Sequence, residues 1–141
     1  MAPYLWVTLG SALGGLLRFT LTRLTLNLDS SLGWTTILIN VLGSFLIAFF
    51  GTLTVSGSRY EASDNMRLFV MVGICGGFTT FSSFSLQTFD LARSGSVGRA
   101  LLNIGLSVTL CLAAVALGHH LAQRGTSTYA IAQTREEEFT G

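Results

Sequence analysis

Four stretches of the chain are apolar and long enough to cross a bilayer, at about residues 4–24, 34–55, 66–89 and 99–121, since a hydrocarbon core of about 30 Å takes roughly 20 helical residues. Polar residues recur inside them at helical spacing. On the second stretch Thr36, Asn40, Ser44, Ala48 and Thr52 fall every four residues and share one slowly drifting face. The fourth repeats the interval with Asn103, Ser107 and Cys111. On the third, Phe81, Phe84 and Thr88 lie at i, i+3 and i+7, with Thr80, Ser83 and Gln87 on the adjacent face. The pattern predicts an all-α membrane protein whose four transmembrane helices form one domain over residues 1–122. A polar tail, 123–141, carries Glu136-Glu137-Glu138 and no apolar periodicity, and is expected to lack fixed structure.

The third stretch departs from a plain helix. Between Leu68 and Phe89 it has no charge, yet Gly73, Gly76, Gly77, Thr79 and Thr80 sit at its centre, and all are weak helix formers. A break at mid-membrane is expected. Backbone that leaves a helix in lipid has to be satisfied by protein, water or an ion, and discontinuous helices recur at membrane ion sites. Close packing is the other reading, because Gly73 and Gly77 form a GxxxG pair, as Gly10 and Gly14 do on the first span. Arg18 continues that first stripe and is the only charge well inside a span. It either snorkels to the nearer interface or supplies positive potential to an anion vestibule. Asn40 reads either as an interhelical hydrogen bond or as a ligand with two N–H donors. Ser63 or Asp64 can cap the third span.

Composition decides the compartment. Half of the residues are hydrophobic and 11% are charged, against about 25% in a soluble domain, so the chain is expected to be a multi-pass protein of the cell (inner or plasma) membrane. No basic n-region precedes the first apolar stretch, and no cleaved signal is expected. A net charge of +1 without a basic stripe gives no support to nucleic-acid binding. Cys75 and Cys111 lie within spans and show neither metal spacing nor a disulfide framework. His119 and His120 stand at a span exit and read as solvated interfacial residues. With four spans, Arg59, Arg67 and Arg124 flank one side, and Arg23, Arg93 and Arg99 the other. Equal arginine content removes the positive-inside bias. Insertion in both orientations follows, and with it an antiparallel homodimer whose twofold axis lies in the membrane plane.

The spans contain no Asp, Glu or Lys, whereas proton-coupled transport relies on intramembrane ionisable groups. No nucleotide loop, metal cluster or nucleophile–base pair suggests an enzyme. The polar stripes offer donors: the amides of Asn40 and Asn103 and the hydroxyls of Thr36, Ser44, Thr80, Ser82, Ser83 and Ser107. Phe81 and Phe84 lie among them, and a phenyl edge is positive. Donors and ring edges without carboxylates describe a narrow path for a small anion. Close donors are needed because a bare ion in low dielectric costs tens of kcal/mol.

Three motifs then carry a resemblance over nearly all of residues 4–122: Gly10, Gly14, Gly15 and Arg18; Asn40, Gly43, Ser44 and Phe45; and Gly76-Gly77-Phe78-Thr79-Thr80-Phe81-Ser82-Ser83-Phe84. In that order on four short spans they resemble the Fluc/CrcB fluoride channels. The resemblance implies a dual-topology antiparallel homodimer with two fluoride pores, each lined by both subunits. It implies that Asn40 donates to fluoride and that Phe81 and Phe84 present ring edges to the pore. Ser82 and Ser83 fall on neighbouring hydroxyl positions, Ser83 where many members have threonine, and Thr36 and Ser107 fall on polar positions along the track. It further implies a structural sodium ion at the dimer interface, held by the backbone carbonyls of Gly76 and Thr79. Asn103 stands where some members have tyrosine, and the tail has no counterpart. The function implied is passive export of cytoplasmic fluoride, which protects the cell from fluoride toxicity. A small four-span drug/proton antiporter would need a membrane carboxylate. A non-transporting structural protein would explain the glycine pairs but not the two polar stripes with Phe81 and Phe84.

Overall fold

The computed structural model describes residues 2–25, 32–55, 58, 60–140, with side chains as far as Arg124. Asp29 and Arg59 lie outside the described residues. Helix α1 is Ala2–Leu24 and α2 is Trp34–Leu53. The third span comprises α3, built from Asp64–Arg67, a π-helical Leu68–Cys75 and Gly76–Phe78, and then α4, Phe81–Arg93. Helix α5 is Val97–Thr140. Among the described residues four helical spans are long and apolar enough to cross a membrane: Ala2–Leu24, Trp34–Leu53, Asp64–Arg93 and Val97–Arg124. The third begins at Asp64 rather than Met66, with Ser63 Oγ accepting the Met66 N–H at 3.4 Å as its cap. Backbone 125–140 continues α5 as helix, in contrast to the expected loss of structure after Gln123. The tail has no proline, and Ala, Gln, Arg and Glu in its later part are good helix formers, although Gly125, Thr126, Ser127 and Thr128 are weak ones.

Two packed pairs make up the subunit: α1 against α3, and α2 against α5. Lipid tails are as apolar as leucine, so membrane helices associate through close packing, and here the glycines permit it. A Cβ on Gly73 would lie 2.7 Å from the Gly10 Cα, and one on Gly77 2.6 Å from the Ser11 oxygen. A Cβ on Gly10 would meet the Phe69 carbonyl oxygen, and one on Gly14 the Ile74 carbonyl oxygen. Gly118 does the same for the other pair, its Cβ position 2.6 Å from the Phe45 oxygen. The small-residue reading of Gly10, Gly14, Gly73 and Gly77 therefore holds in detail.

Hydroxyls within the spans largely bond their own helix. Thr8, Thr22, Thr79, Ser85 and Thr88 each donate to the carbonyl four residues earlier, as lipid-embedded polar groups must find internal partners. Arg67 donates to the Gly51 carbonyl and to Thr54 Oγ1, at 3.2 and 2.8 Å, and so closes the C-terminal end of α2. Large apolar side chains such as Leu16, Phe19, Leu101 and Leu112 face outward. On a membrane protein that outer surface meets lipid or another subunit.

Candidate functional site: a broken helix between two cavities

The break expected in the third span is present, at Thr79 and Thr80. Their φ/ψ values are −79°/158° and −153°/108°, extended backbone that suits β-branched residues. The glycines just before it stay helical; Gly77 is packed against Ser11 of α1, whereas a Cβ on Gly76 would meet no atom within 4 Å.

Breaking a helix frees backbone groups, and their partners define the site. The Thr80 N–H, which would bond the Gly76 carbonyl in a continuous helix, donates instead to Asn40 Oδ1 at 2.8 Å. Asn40 Nδ2 returns a bond to the Thr80 carbonyl at 3.1 Å. One asparagine thus mends both backbone groups of the break, and its second Nδ2 hydrogen is left over. The Ser83 N–H donates to Thr80 Oγ1 at 3.2 Å, so Thr80 is the N-cap of α4. That diversion also removes the usual helical partner of the Thr79 carbonyl. Gly76 and Thr79, from which carbonyl ligands are implied, fall within the stretch 76–79 whose carbonyls lose their i+4 donors at the break, and the donors of these two go to Asn40 and to Thr80 Oγ1.

Two cavities flank the break. The first, of about 330 Å³, is an open-sided groove lined by Asn40, Ser44, Gly76, Thr79, Thr80, Phe81, Phe84, Ser107 and Cys111 among others. The ring centroids of Phe81 and Phe84 are 5.4 Å apart with planes tilted by 49°. Phe81 is 79% exposed, so one side of the groove is open in the single chain. The second cavity, of about 420 Å³, is lined by Arg18, Thr36, Thr80, Ser83 and Gln87, with Thr22 and Thr35 among its other neighbours. Neither of these cavities is lined by Asp or Glu, and no group of three or more metal-ligating His, Cys, Asp or Glu side chains occurs among the described residues.

The structure thus divides the sequence-predicted residues between two compartments. Asn40, Phe81, Phe84, Ser107, Gly76 and Thr79 meet at the groove; Arg18, Thr36 and Ser83 meet at the second cavity. Among the described residues, Arg18 is the only charged one lining that second cavity. Ser82 lines neither, and its hydroxyl lies 3.1 Å from Thr80 Oγ1. Asn103 is not brought to either cavity. It is 1% exposed, donates to Thr88 Oγ1 at 2.9 Å and accepts from Ser107 at 3.4 Å. It joins α4 to α5 and is buried in doing so.

Two residues of the polar face that the sequence shows on the third span also stand in the site, without a role having been assigned to them there. Thr80 lines both cavities, and Gln87 lines the second. Gln87 Oε1 is buried without a hydrogen-bond partner among the described residues, and a Cβ on Gly33 would collide with it. Their shared spacing with Ser83 on one face of α4 was the available signal.

Residues 5–119 match the family described as CrcB-like protein, Camphor Resistance (CrcB). The chain is 58% identical over 116 residues to the fluoride-specific ion channel FluC of Methylobacterium radiotolerans, covering 82% of this chain and 81% of that one. It is 54% identical over 134 residues to the protein of the same name from Gluconobacter oxydans, covering 94% and 93%. To that from Methylocella silvestris it is 56% identical over 120 residues, covering 84% and 92%. A match of this extent, on a four-span fold with the break in its third span, makes this chain a multi-pass membrane protein of the CrcB-like family.

Proposed function

We propose that the chain is a fluoride-selective channel that passively exports cytoplasmic fluoride. The observation that carries the reading is the groove in which the Asn40 amide and the rings of Phe81 and Phe84 converge with no carboxylate. Such a lining replaces the water of a small anion with donors and positive ring edges, and repels no negative charge. It offers nothing that would carry a proton in exchange. The names of the relatives from Methylobacterium radiotolerans and Gluconobacter oxydans support fluoride as the anion.

The working unit in this reading is an antiparallel homodimer. A groove whose phenylalanine is 79% exposed needs a second wall, and the equal arginine content of the two sides supports a partner of opposite orientation. The freed carbonyls of Gly76 and Thr79 fit a sodium ion, since hard cations take oxygen ligands. A sodium there would supply fixed positive charge and join the subunits. Gly76 is exposed and a Cβ there would meet no atom within 4 Å, so its backbone can be approached from outside the subunit.

Efflux from liposomes loaded with fluoride, read with a fluoride electrode against chloride-loaded controls, tests the function. Fluoride efflux without chloride efflux is expected. Phe81→Ile and Phe84→Ile are expected to lower it while the dimer stays folded, because aliphatic side chains have no positive edge. No fluoride efflux from a folded dimer would refute the channel; unchanged flux in both variants would refute the role of the rings.

A further inference from the structure

The two cavities share Thr80, and its hydroxyl sits in the middle of a chain of three. A threonine hydroxyl has one hydrogen and two lone pairs. The Thr80 hydrogen goes to Ser83 Oγ at 3.1 Å. One lone pair accepts the Ser83 N–H at 3.2 Å. In the remaining contact, 3.1 Å to Ser82 Oγ, Ser82 therefore has to be the donor. The chain runs from Ser82 to Thr80 to Ser83, and the hydrogen left over is on Ser83, which lines the Arg18 cavity.

The same three oxygens support the opposite direction. If Ser83 donates to Thr80 and Thr80 to Ser82, the spare hydrogen moves to Ser82, next to Phe81. The helix cap survives, because the Ser83 N–H needs only a lone pair. The heavy atoms also stay in place, because Asn40 holds the Thr80 backbone from both sides. Only three O–H bonds rotate. Chains of hydrogen bonds polarise one another, so an anion at either end favours the direction that points a hydrogen at it.

We propose that Thr80 is a positioning residue at the centre of a reversible hydroxyl chain. The chain turns its spare donor first to Ser83 at the Arg18 cavity and then to Ser82, which is exposed beside Phe81 and lines neither cavity, as a small anion leaves the Arg18 cavity for the Phe81 side. The proposal rests on the anion-channel reading and adds the device that carries a donor from one side of the break to the other.

Fluoride efflux from liposomes holding the purified dimer tests it, with wild type, Thr80→Val, Thr80→Ser, Ser82→Ala and the double variant Thr80→Val/Ser82→Ala. Thr80→Val is expected to lose at least about tenfold in flux, the scale of one hydrogen bond to a charged group. Thr80→Ser is expected to recover most of that loss. Ser82→Ala keeps the cap and is expected to lose flux several-fold, while the double variant loses no more than Thr80→Val alone, because coupled residues are not additive. A cap with no further role would leave Ser82→Ala at wild-type flux, and that result overturns the chain. Losses that multiply in the double variant overturn it too. If Thr80→Val fails to assemble, Ser82→Ala still decides. Absence of flux in the wild type itself would instead overturn the channel reading.

Discussion

Replacing Asn40 with aspartate changes two atoms' worth of chemistry at the centre of the molecule. Asparagine accepts the Thr80 N–H at 2.8 Å and donates to the Thr80 carbonyl at 3.1 Å. An aspartate carboxylate keeps the first bond and cannot make the second. Leaving that carbonyl without its donor costs about 1–3 kcal/mol, which a folded dimer can tolerate. The charge does far more to an anion. At an effective dielectric of about 20, a fluoride about 3 Å from the carboxylate meets roughly 5 kcal/mol of repulsion. At about 1.4 kcal/mol per factor of ten in an equilibrium constant, its occupancy falls more than a thousandfold. Efflux at neutral pH is therefore expected to drop to the level of empty liposomes while the protein still elutes as a dimer. The assay is the fluoride electrode on proteoliposomes, with size exclusion on the same sample. Wild-type efflux from Asn40→Asp would place Asn40 away from the ion and leave it only the backbone role.

Other outcomes follow from the same geometry. Gly73→Val is expected to abolish the folded subunit, because the Cβ would already lie 2.7 Å from the Gly10 Cα, whereas Gly105→Ala, whose Cβ meets nothing within 4 Å, should raise thermal stability by up to about 1 kcal/mol as glycine leaves a helix interior; equal stability of the two variants would refute close helix packing. Removing sodium should weaken the dimer or its fluoride flux, measured by size exclusion and efflux in sodium-free buffer; indifference in both would sink the structural ion. Arg18→Gln should lower the flux, with the deficit shrinking as salt is raised toward 1 M, where the Debye length falls to about 3 Å; a deficit independent of salt would remove Arg18 from an electrostatic role.

What could be read from the residues alone divides along a physical line. Apolar length and four-residue spacing are local properties of a helix. They were enough for the spans, for the face shared by Asn40 and Ser44, and for the pairing of Phe81 with Phe84. The position of the break was less legible. Gly76 and Gly77 have the weaker helix propensity, yet Thr79 and Thr80 leave the helix, because contact with Ser11 on α1 keeps Gly77 in its helical place. Nor does any local pattern show that Asn40 closes on a backbone forty residues away, or that Asn103 turns inward to Thr88. Both asparagines sit at the same kind of position on a polar stripe. Tertiary packing alone decides that one keeps a spare N–H at a cavity and the other is buried between helices.

The break itself sorts donors from acceptors. In a continuous helix the Thr80 N–H and the Gly76 carbonyl would cancel each other, as would the Ser83 N–H and the Thr79 carbonyl. Here the donors are answered from within the subunit, by Asn40 and by the Thr80 hydroxyl. The carbonyls of Gly76 and Thr79 are left on residues that line the open groove. An acceptor-rich patch and a donor-rich path thus arise from one two-residue defect: the first suits a cation and the second an anion. Their dependence on each other is then structural rather than incidental. A substitution at Asn40 that releases the Thr80 N–H lets it return to Gly76, and so reaches the proposed sodium site as well as the proposed pore. Phe81→Ile and Phe84→Ile, which touch no bond of the break, alter the path alone. Sodium dependence that changes with Asn40 and not with the phenylalanines is the pattern this coupling requires.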